Sequence, residues 1–228
     1  MTDDVDAARA LLASRRCVVL DFDGPVTRLL PGEEYLRVTE GAREIALSRG
    51  VPLDDELAGQ ADHVQLLRLV ARRDPAAGRA VERWCTAREL AAARSAAPFP
   101  GVAAFVTACQ ARGTAVAVVT NNAPTAVAEV LARGGAPLAP LPVHGRDPEA
   151  LDRLKPAPAL VLDALRDVGV GPEEAVMVGD SPSDVEAAAA AGLPCLGLSP
   201  SSARRTELRA AGAVAAVPDL AALLPAPF

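Results

Sequence analysis

Aromatic side chains are scarce. Phe, Tyr and Trp make up 3% of the 228 residues, although half the chain is hydrophobic. Any core must therefore be aliphatic. Cysteines are few and scattered: Cys17, Cys85, Cys109 and Cys195 form no CxxC pair. That spacing excludes a zinc ribbon and a disulfide framework, and the four read as buried, reduced thiols acting as small hydrophobes. There is no excess of basic charge. The formal net charge is -6, so the electrostatic footprint of a nucleic-acid binder is missing. No long hydrophobic run exists either. One of the two longest uncharged stretches, Ala187 to Ala203, is interrupted by Gly192, Pro194, Gly197 and Pro200, whereas a membrane span needs about 20 consecutive apolar residues. The opening Met-Thr-Asp-Asp-Val-Asp is acidic, unlike the positive start of a secretory signal. The expectation is a cytoplasmic protein with no nucleic-acid or membrane partner, a monomer or a homodimer. Lysine is nearly absent: Lys155 is the single lysine among 23 basic residues.

What is present has an alternating rhythm. Short apolar runs at Cys17–Phe22, Ala115–Thr120, Ala175–Gly179, Pro194–Leu198 and Ala213–Val217 read as buried parallel strands. Leu141–His144 is a weaker sixth candidate. Residues 3–16 read as a lead-in helix. Between the strands, helical stretches are expected at Val102–Arg112, Thr125–Arg133, Pro158–Val168, Ser183–Ala191 and Ser201–Ala211. Several open on Pro or Ser and close on Gly, as helix caps do. Strands alternating with helices indicate an α/β fold with a parallel sheet, Rossmann-like, sandwiched by helices.

One stretch breaks the rhythm. From Leu30 to Ala97 no strand-like run occurs, and Arg, Glu, Ala and Leu dominate. Helices are expected near 33–49, 53–59, 61–73 and 77–96, the third supported by the spacing of Val64, Leu67, Val70 and Ala71. The division is then an α/β core, residues 1–29 and 98–228, with a helical cap at 30–97. An insertion after the first strand hangs over the place where open α/β sheets bind ligands.

Four stations carry chemistry. The first strand runs into Asp21-Phe22-Asp23-Gly24. Residues i and i+2 of an extended segment point the same way, so two carboxylates face one spot. Such a pair repels unless a cation or a shared proton intervenes, and a hard divalent cation such as Mg²⁺ takes oxygen ligands of this kind. Taken alone, the motif is equally readable as two solvated acids in a turn. The second strand ends in Thr120-Asn121-Asn122, where a hydroxyl and backbone amides can hold phosphate oxygens or simply cap a helix. The third station is Lys155, fixed between Leu154 and Pro156-Ala157-Pro158. A lysine at a helix start opposes the dipole and asks for an anionic partner. The fourth is Gly179-Asp180-Ser181-Pro182-Ser183-Asp184, again at a strand end. There Asp184 is also a favourable helix N-terminal residue.

These four stations, in this order, resemble the haloacid-dehalogenase-like hydrolase superfamily. The likeness covers the whole chain and points to the subgroup with a cap after the first strand. Gly145-Arg146-Asp147-Pro148 followed by Leu154-Lys155-Pro156-Ala157-Pro158 is similar to phosphoglycolate-phosphatase-like members. The resemblance implies a Mg²⁺-dependent phosphatase acting on a small phosphorylated metabolite of phosphoglycolate or sugar-phosphate type. Asp21 would be the nucleophile that forms an aspartyl-phosphate, and Asp23 the general acid and base. Thr120, Asn121 and Lys155 would bind phosphate. Asp180 would hold the metal with Asp21 and the backbone carbonyl of Asp23. Gly24 and Asp184 would support the site, Asp184 by serving the metal or by orienting Lys155. Two other functions use the same residues: a phosphomutase or phosphotransferase, and a non-catalytic regulator that binds a phosphorylated ligand. Dehalogenation would leave Asp23 without a clear task. Pro25 and Arg28 depart from the family pattern, and Arg28 reads as a surface arginine. His63 beside an apolar helical face reads as structural, and Trp84 as cap core. His144 carries no assigned role.

Overall fold

The computed structural model describes residues 2–224. Ten helices and six strands are assigned among them. The strands are β1 (Cys17–Asp21), β2 (Ala115–Val119), β3 (Val143–His144), β4 (Ala175–Gly179), β5 (Cys195–Leu198) and β6 (Ala215–Val217). They form one sheet in the order β3-β2-β1-β4-β5-β6, with every neighbouring pair parallel. The helices are α1 (Thr2–Ala13), α2 (Glu33–Ser48), α3 (Asp55–Gly59), α4 (His63–Arg73), α5 (Pro75–Ala93), α6 (Val102–Ala111), α7 (Pro124–Arg133), α8 (Ala159–Val168), α9 (Pro182–Ala191) and α10 (Ser202–Ala210). This is the Rossmann-like parallel sheet between helices that the alternation predicts.

The strands are uniformly apolar because both faces of the sheet are covered. Alternate residues serve opposite faces. Val18, Leu20, Val116, Val118, Val176 and Val178 join one buried cluster with Phe105 and Val106 of α6 and Val127 and Val130 of α7. Cys17, Val19, Ala117, Val119, Ala175 and Met177 join the other, with Val161 and Leu165 of α8 and Val185 and Ala188 of α9. With few aromatics, the packing relies on close fits of small side chains. All four cysteines are buried and unpaired. Burial pushes the thiols of Cys17 and Cys85 up to about 11 and about 12, which keeps them protonated.

Helices α2 to α5 lie between β1 and β2 in the chain and have a core of their own. Ala42, Ala46, Leu57, Leu66, Leu67, Val70, Val81 and Cys85 build it, with Trp84 packed at its edge. Local chemistry sets the helix ends. Asp54 caps α3 through Leu57 N, Asp62 caps α4 through Val64 N and Gln65 N, and Asp74 caps α5 through Ala76 N and Ala77 N. These caps explain three shifts from the sequence reading: α3 starts after Asp54 rather than at 53, α4 after Asp62 rather than at 61, and α5 at Pro75 rather than 77. The two crossings between this unit and the sheet are pinned together. Phe99 N donates to Val26 O at 2.7 Å, and Thr27 Oγ1 donates to Ala97 O at 2.8 Å.

The strand order reverses direction between β1 and β4. In open α/β sheets a ligand crevice forms at such a switch point, outside the carboxyl ends of the strands. β1, β2 and β4 deliver Asp21, Thr120 and Asp180 to that edge.

Candidate active site

β1 ends at Asp21 because the chain turns back at once. Val26 N and Thr27 N both donate to Phe22 O, and Gly24 N donates to Thr27 O at 2.7 Å. The turn needs Gly24, whose φ is +117°. A Cβ there would fall 2.2 Å from Cγ of Asp180, so only glycine lets the turn pass that carboxylate. Asp23 lies in the turn and its Oδ1 accepts from Leu29 N at 3.1 Å.

Lys155 reaches the same spot from the loop before α8. Its Nζ donates to Asp21 Oδ1 at 2.5 Å and to Asp184 Oδ1 at 2.6 Å. The backbone carrying it is held by Asn121: Lys155 N donates to Asn121 Oδ1 at 2.8 Å, and Asn121 Nδ2 donates to Lys155 O at 3.0 Å. The Asn121 amide thus places Lys155 through both its oxygen and its nitrogen. Thr120 Oγ1 donates to Asn122 Oδ1 at 2.9 Å and accepts from Asn122 N at 3.1 Å. To donate to a phosphoryl oxygen, its hydrogen must rotate away from Asn122.

Asp184 is completely buried in the first turn of α9. Its Oδ2 accepts from Asp180 N, Ser181 N and Ser181 Oγ, in a capping box with Ser181. Its Oδ1 takes Lys155. Both oxygens are occupied, so Asp184 orients Lys155 and the Asp180 loop. Gly179 permits this, since a Cβ there would lie 2.4 Å from Cβ of Asp184.

The electrostatics are unbalanced. Burial and the neighbouring Asp184 carboxylate push Asp21 well up, against the pull of Lys155. Burial and then Asp184 push Asp180 up to about 7. Burial also raises Asp23, opposed by the Leu29 N–H, Arg28 and His63. Burial alone would lower Lys155, but Asp184 and Asp21 outweigh it and hold the ammonium charged. The Arg28 guanidinium stands 3.9 Å from Asp180 Oδ2 and is more than half exposed. Four carboxylates thus face one buried ammonium and one rim arginine. Oxygens of Asp21, Asp180 and Asp184 lie within 4.8 Å of one another. This hard, oxygen-rich and overly negative donor set fits a divalent cation such as Mg²⁺.

A cavity of about 160 Å³ opens over these groups. Asp21, Asp23, Thr120, Asn121, Asn122, Lys155, Asp180, Ser181 and Ser183 form its floor, and Tyr35, Asp62, His63 and Val64 its roof. All the residues singled out from sequence meet here except Gly24, which passes behind Asp180, and Asp184, which lies beneath the floor. The roof residues and Ser183 were not singled out as site residues. Tyr35 Oη donates to Asp62 Oδ2 at 2.7 Å, and its ring meets His63 edge-on with centroids 5.3 Å apart. A larger groove of about 280 Å³ between Arg68, Arg72, Arg79 and Asp152 holds none of the strand-end carboxylates.

Behind the roof lies a second charged cluster. Glu89 of α5 is fully buried, as is the side chain of Arg146. The two are joined twice, Nη1 to Oε1 and Nη2 to Oε2, each at 2.9 Å. Ala123 N donates to Glu89 Oε2 at 2.8 Å, Asn122 Nδ2 to Oε1 at 3.4 Å, and His63 Nε2 lies 3.2 Å from Oε1. Burial alone would raise Glu89, yet Arg146 and His63 hold it at about 2. His63 is therefore a cavity residue anchored to a carboxylate, not merely a filler of an apolar face. Trp84, in contrast, sits in the helical core and donates to Val38 O at 3.1 Å.

The family model for haloacid dehalogenase-like hydrolases matches residues 15–192. A phosphoglycolate phosphatase of Rhodospirillum rubrum is 33% identical over 91% of this chain and 89% of its own length. A phosphoglycolate phosphatase of Escherichia coli K12 is 37% identical over 44% of this chain and 39% of that protein. Among solved structures, CbbY from Rhodobacter sphaeroides in complex with phosphate superposes with a TM-score of 0.66. It is 25% identical and matches 91% of this chain and 95% of that one. A phosphonoacetaldehyde hydrolase-like protein from Oleispira antarctica has the same fold, with a TM-score of 0.69, 15% identity, and coverage of 91% and 89%.

Proposed function

The chain belongs to the haloacid dehalogenase-like hydrolases and is a phosphoric monoester hydrolase, and from that premise we propose that it hydrolyses a small phosphorylated metabolite of phosphoglycolate type through an aspartyl-phosphate on Asp21. The observation that carries this reading is the meeting of Asp21, Lys155, Asp184 and Asp180 at the switch point of the sheet, under a small cavity. Residues 30–97 act as the cap and, of the described residues, 2–29 and 98–224 as the core; residues 1 and 225–228 of that division lie outside the described residues. Mg²⁺, held by Asp21, Asp180 and the backbone carbonyl of Asp23, would supply positive charge against the anionic ester and nucleophile.

The rest is done by the chain itself. Lys155 and the hydroxyl of Thr120 bind the phosphoryl oxygens, and Asn121 keeps Lys155 in place. A carboxylate oxygen of Asp21 attacks phosphorus, and the bond to the leaving oxygen breaks. Asp23, whose pKa burial raises, gives a proton to the departing alkoxide. Water then attacks the phosphorus of the aspartyl-phosphate and loses its proton to Asp23. Phosphate leaves and Asp21 is regenerated. The roof of Tyr35, Asp62, His63 and Val64 faces the leaving group, and the small cavity favours a short one. A mutase would need room for a second phosphorylated sugar oxygen under that roof.

The test is phosphate release from 2-phosphoglycolate and hexose phosphates with Mg²⁺. The reading expects turnover that EDTA abolishes, a preference for the two-carbon ester, and no turnover by Asp21→Asn. Isomerisation of a hexose phosphate without phosphate release would replace it by the mutase reading.

A further inference from the structure

Glu89 lies outside the reacting set, yet it is a fully buried charge with five donors around it. One apolar helix-packing contact would have served if α5 needed only to rest on the core. Burying a carboxylate is costly unless every lone pair is used, and here both oxygens are saturated. The donors come from three separate places: His63 in the cavity roof, Asn122 and Ala123 in the loop after β2, and Arg146 beyond β3. The Asn122 branch continues. The amide that donates to Glu89 accepts, through Oδ1, the hydroxyl of Thr120 at 2.9 Å. A chain therefore runs from the Glu89 carboxylate to Asn122 Nδ2, and from Asn122 Oδ1 to Thr120 Oγ1.

This chain fixes which way the Asn122 amide faces. The negative Glu89 must meet the NH₂ end, so the oxygen end must face Thr120. Asn122 thus grips the Thr120 side chain twice, through Oδ1 at 2.9 Å and through its N–H at 3.1 Å, and holds the hydroxyl oxygen at the strand end while its hydrogen turns to a phosphoryl oxygen on binding. Ala123 N, also on Glu89, anchors the next peptide of the same loop. Arg146 closes the ring, since its Nη1 also donates to Asn121 O at 2.9 Å.

We propose that Glu89 is a positioning residue for the phosphate site: a carboxylate from the inserted helices that sets Thr120 through Asn122 and ties α5 to the phosphate-binding loop. The inference rests on the phosphatase reading for its consequence in turnover, but its structural content is the ability to bind phosphate.

The experiment compares Glu89→Gln, Asn122→Ala and the double variant with the wild-type chain. Binding of inorganic phosphate in the presence of Mg²⁺ is read by calorimetry, stability by urea denaturation, and turnover of 2-phosphoglycolate by phosphate release. Expected are a loss of at least tenfold in phosphate affinity for each single variant, and a double variant no weaker than the worse single one. A purely structural role would instead lower the urea midpoint of Glu89→Gln and leave phosphate affinity within twofold of wild type. That result overturns the proposal, as does a double variant whose affinity losses multiply. Should Glu89→Gln fail to fold, Asn122→Ala carries the test: phosphate affinity within twofold of wild type overturns the assignment. A wild-type chain that binds phosphate but hydrolyses no phosphoester would remove the phosphatase reading, while weakened phosphate binding in the variants would still support the positioning role.

Discussion

Nζ of Lys155 lies 2.5 Å from Oδ1 of Asp21, although 134 residues separate them. The only lysine of the chain is thus spent inside the site, and its second bond, to Asp184 at 2.6 Å, ties the loop before α8 to the first turn of α9.

Lysine is required here for its compactness as well as its charge. Lys155→Met leaves Asp21 and Asp184 as buried neighbours with no shared cation. Breaking a buried pair in this way costs about 3–5 kcal/mol, so the urea midpoint should fall sharply and turnover should drop by about 100-fold or more. Lys155→Arg keeps the charge but brings a planar fork into a nearly closed space, and should also lose most turnover while recovering part of the stability. A Lys155→Arg variant with wild-type turnover would contradict this account of the site.

The acid cluster makes stability depend on pH and on the cation together. Asp180 rises from its ordinary 3.8 to about 7 in the folded chain. The folded state then holds a proton more tightly than the unfolded one, so stability is greatest below about 4 on this group's account. It falls as pH rises from about 4 towards 7, then levels off. Mg²⁺ binds the ionised form, so it should raise the thermal midpoint more at pH 8 than at pH 5. Thermal denaturation at the two pH values, with and without Mg²⁺, measures the difference. An equal Mg²⁺ effect at both would contradict the assignment of Asp180 as a metal ligand.

Gly24 is the tightest steric requirement of the site. Gly24→Ala adds a methyl group 2.2 Å from Asp180 and demands a positive φ. Asp180 must move, and turnover should fall by at least tenfold, with Mg²⁺ affinity weakened in parallel. Titration of turnover against Mg²⁺ would reveal it as a higher half-saturation concentration.

Arg146→Met strips Glu89 of its counter-charge in a fully buried setting. A loss of about 3–5 kcal/mol is expected in urea denaturation. Arg94, beyond the end of α5 in an exposed position, is the control, and its replacement by Met should shift stability by no more than about 0.5 kcal/mol.

The sheet and the four stations were legible in the sequence because they obey local rules. Continuous apolar runs mark strands buried on both faces, and the residue after each run is carried to the carboxyl edge. Boundaries slipped by a residue or two where turn bonds just past the strand decide them. β1 stops before Phe22 because Phe22 O serves the turn, and beyond β2 Thr120 N still donates to His144 O but Asn122 N turns back to Thr120 Oγ1. The roof and the Glu89 cluster were not legible, because their bonds join residues 26 to 57 positions apart with no motif between them. A trace of them existed. Glu82 and Glu89 stand seven residues apart on the buried stripe of α5, with Cys85 between. Acids on an apolar helix stripe require buried cations, and Arg146 is the one they meet. Asp184 was half legible: its place at a helix N-terminus could be seen, but not its capping box with Ser181 or that both its oxygens are used.

The central claim is that Asp21 is briefly phosphorylated. Quenching the enzyme during turnover of 2-phosphoglycolate and reducing with borohydride converts an acyl phosphate to the alcohol, which peptide mass spectrometry can locate. The account predicts homoserine at position 21 in the wild-type chain and none in Asp21→Asn. Turnover with an unmodified Asp21, or reduction at another carboxylate, would contradict it.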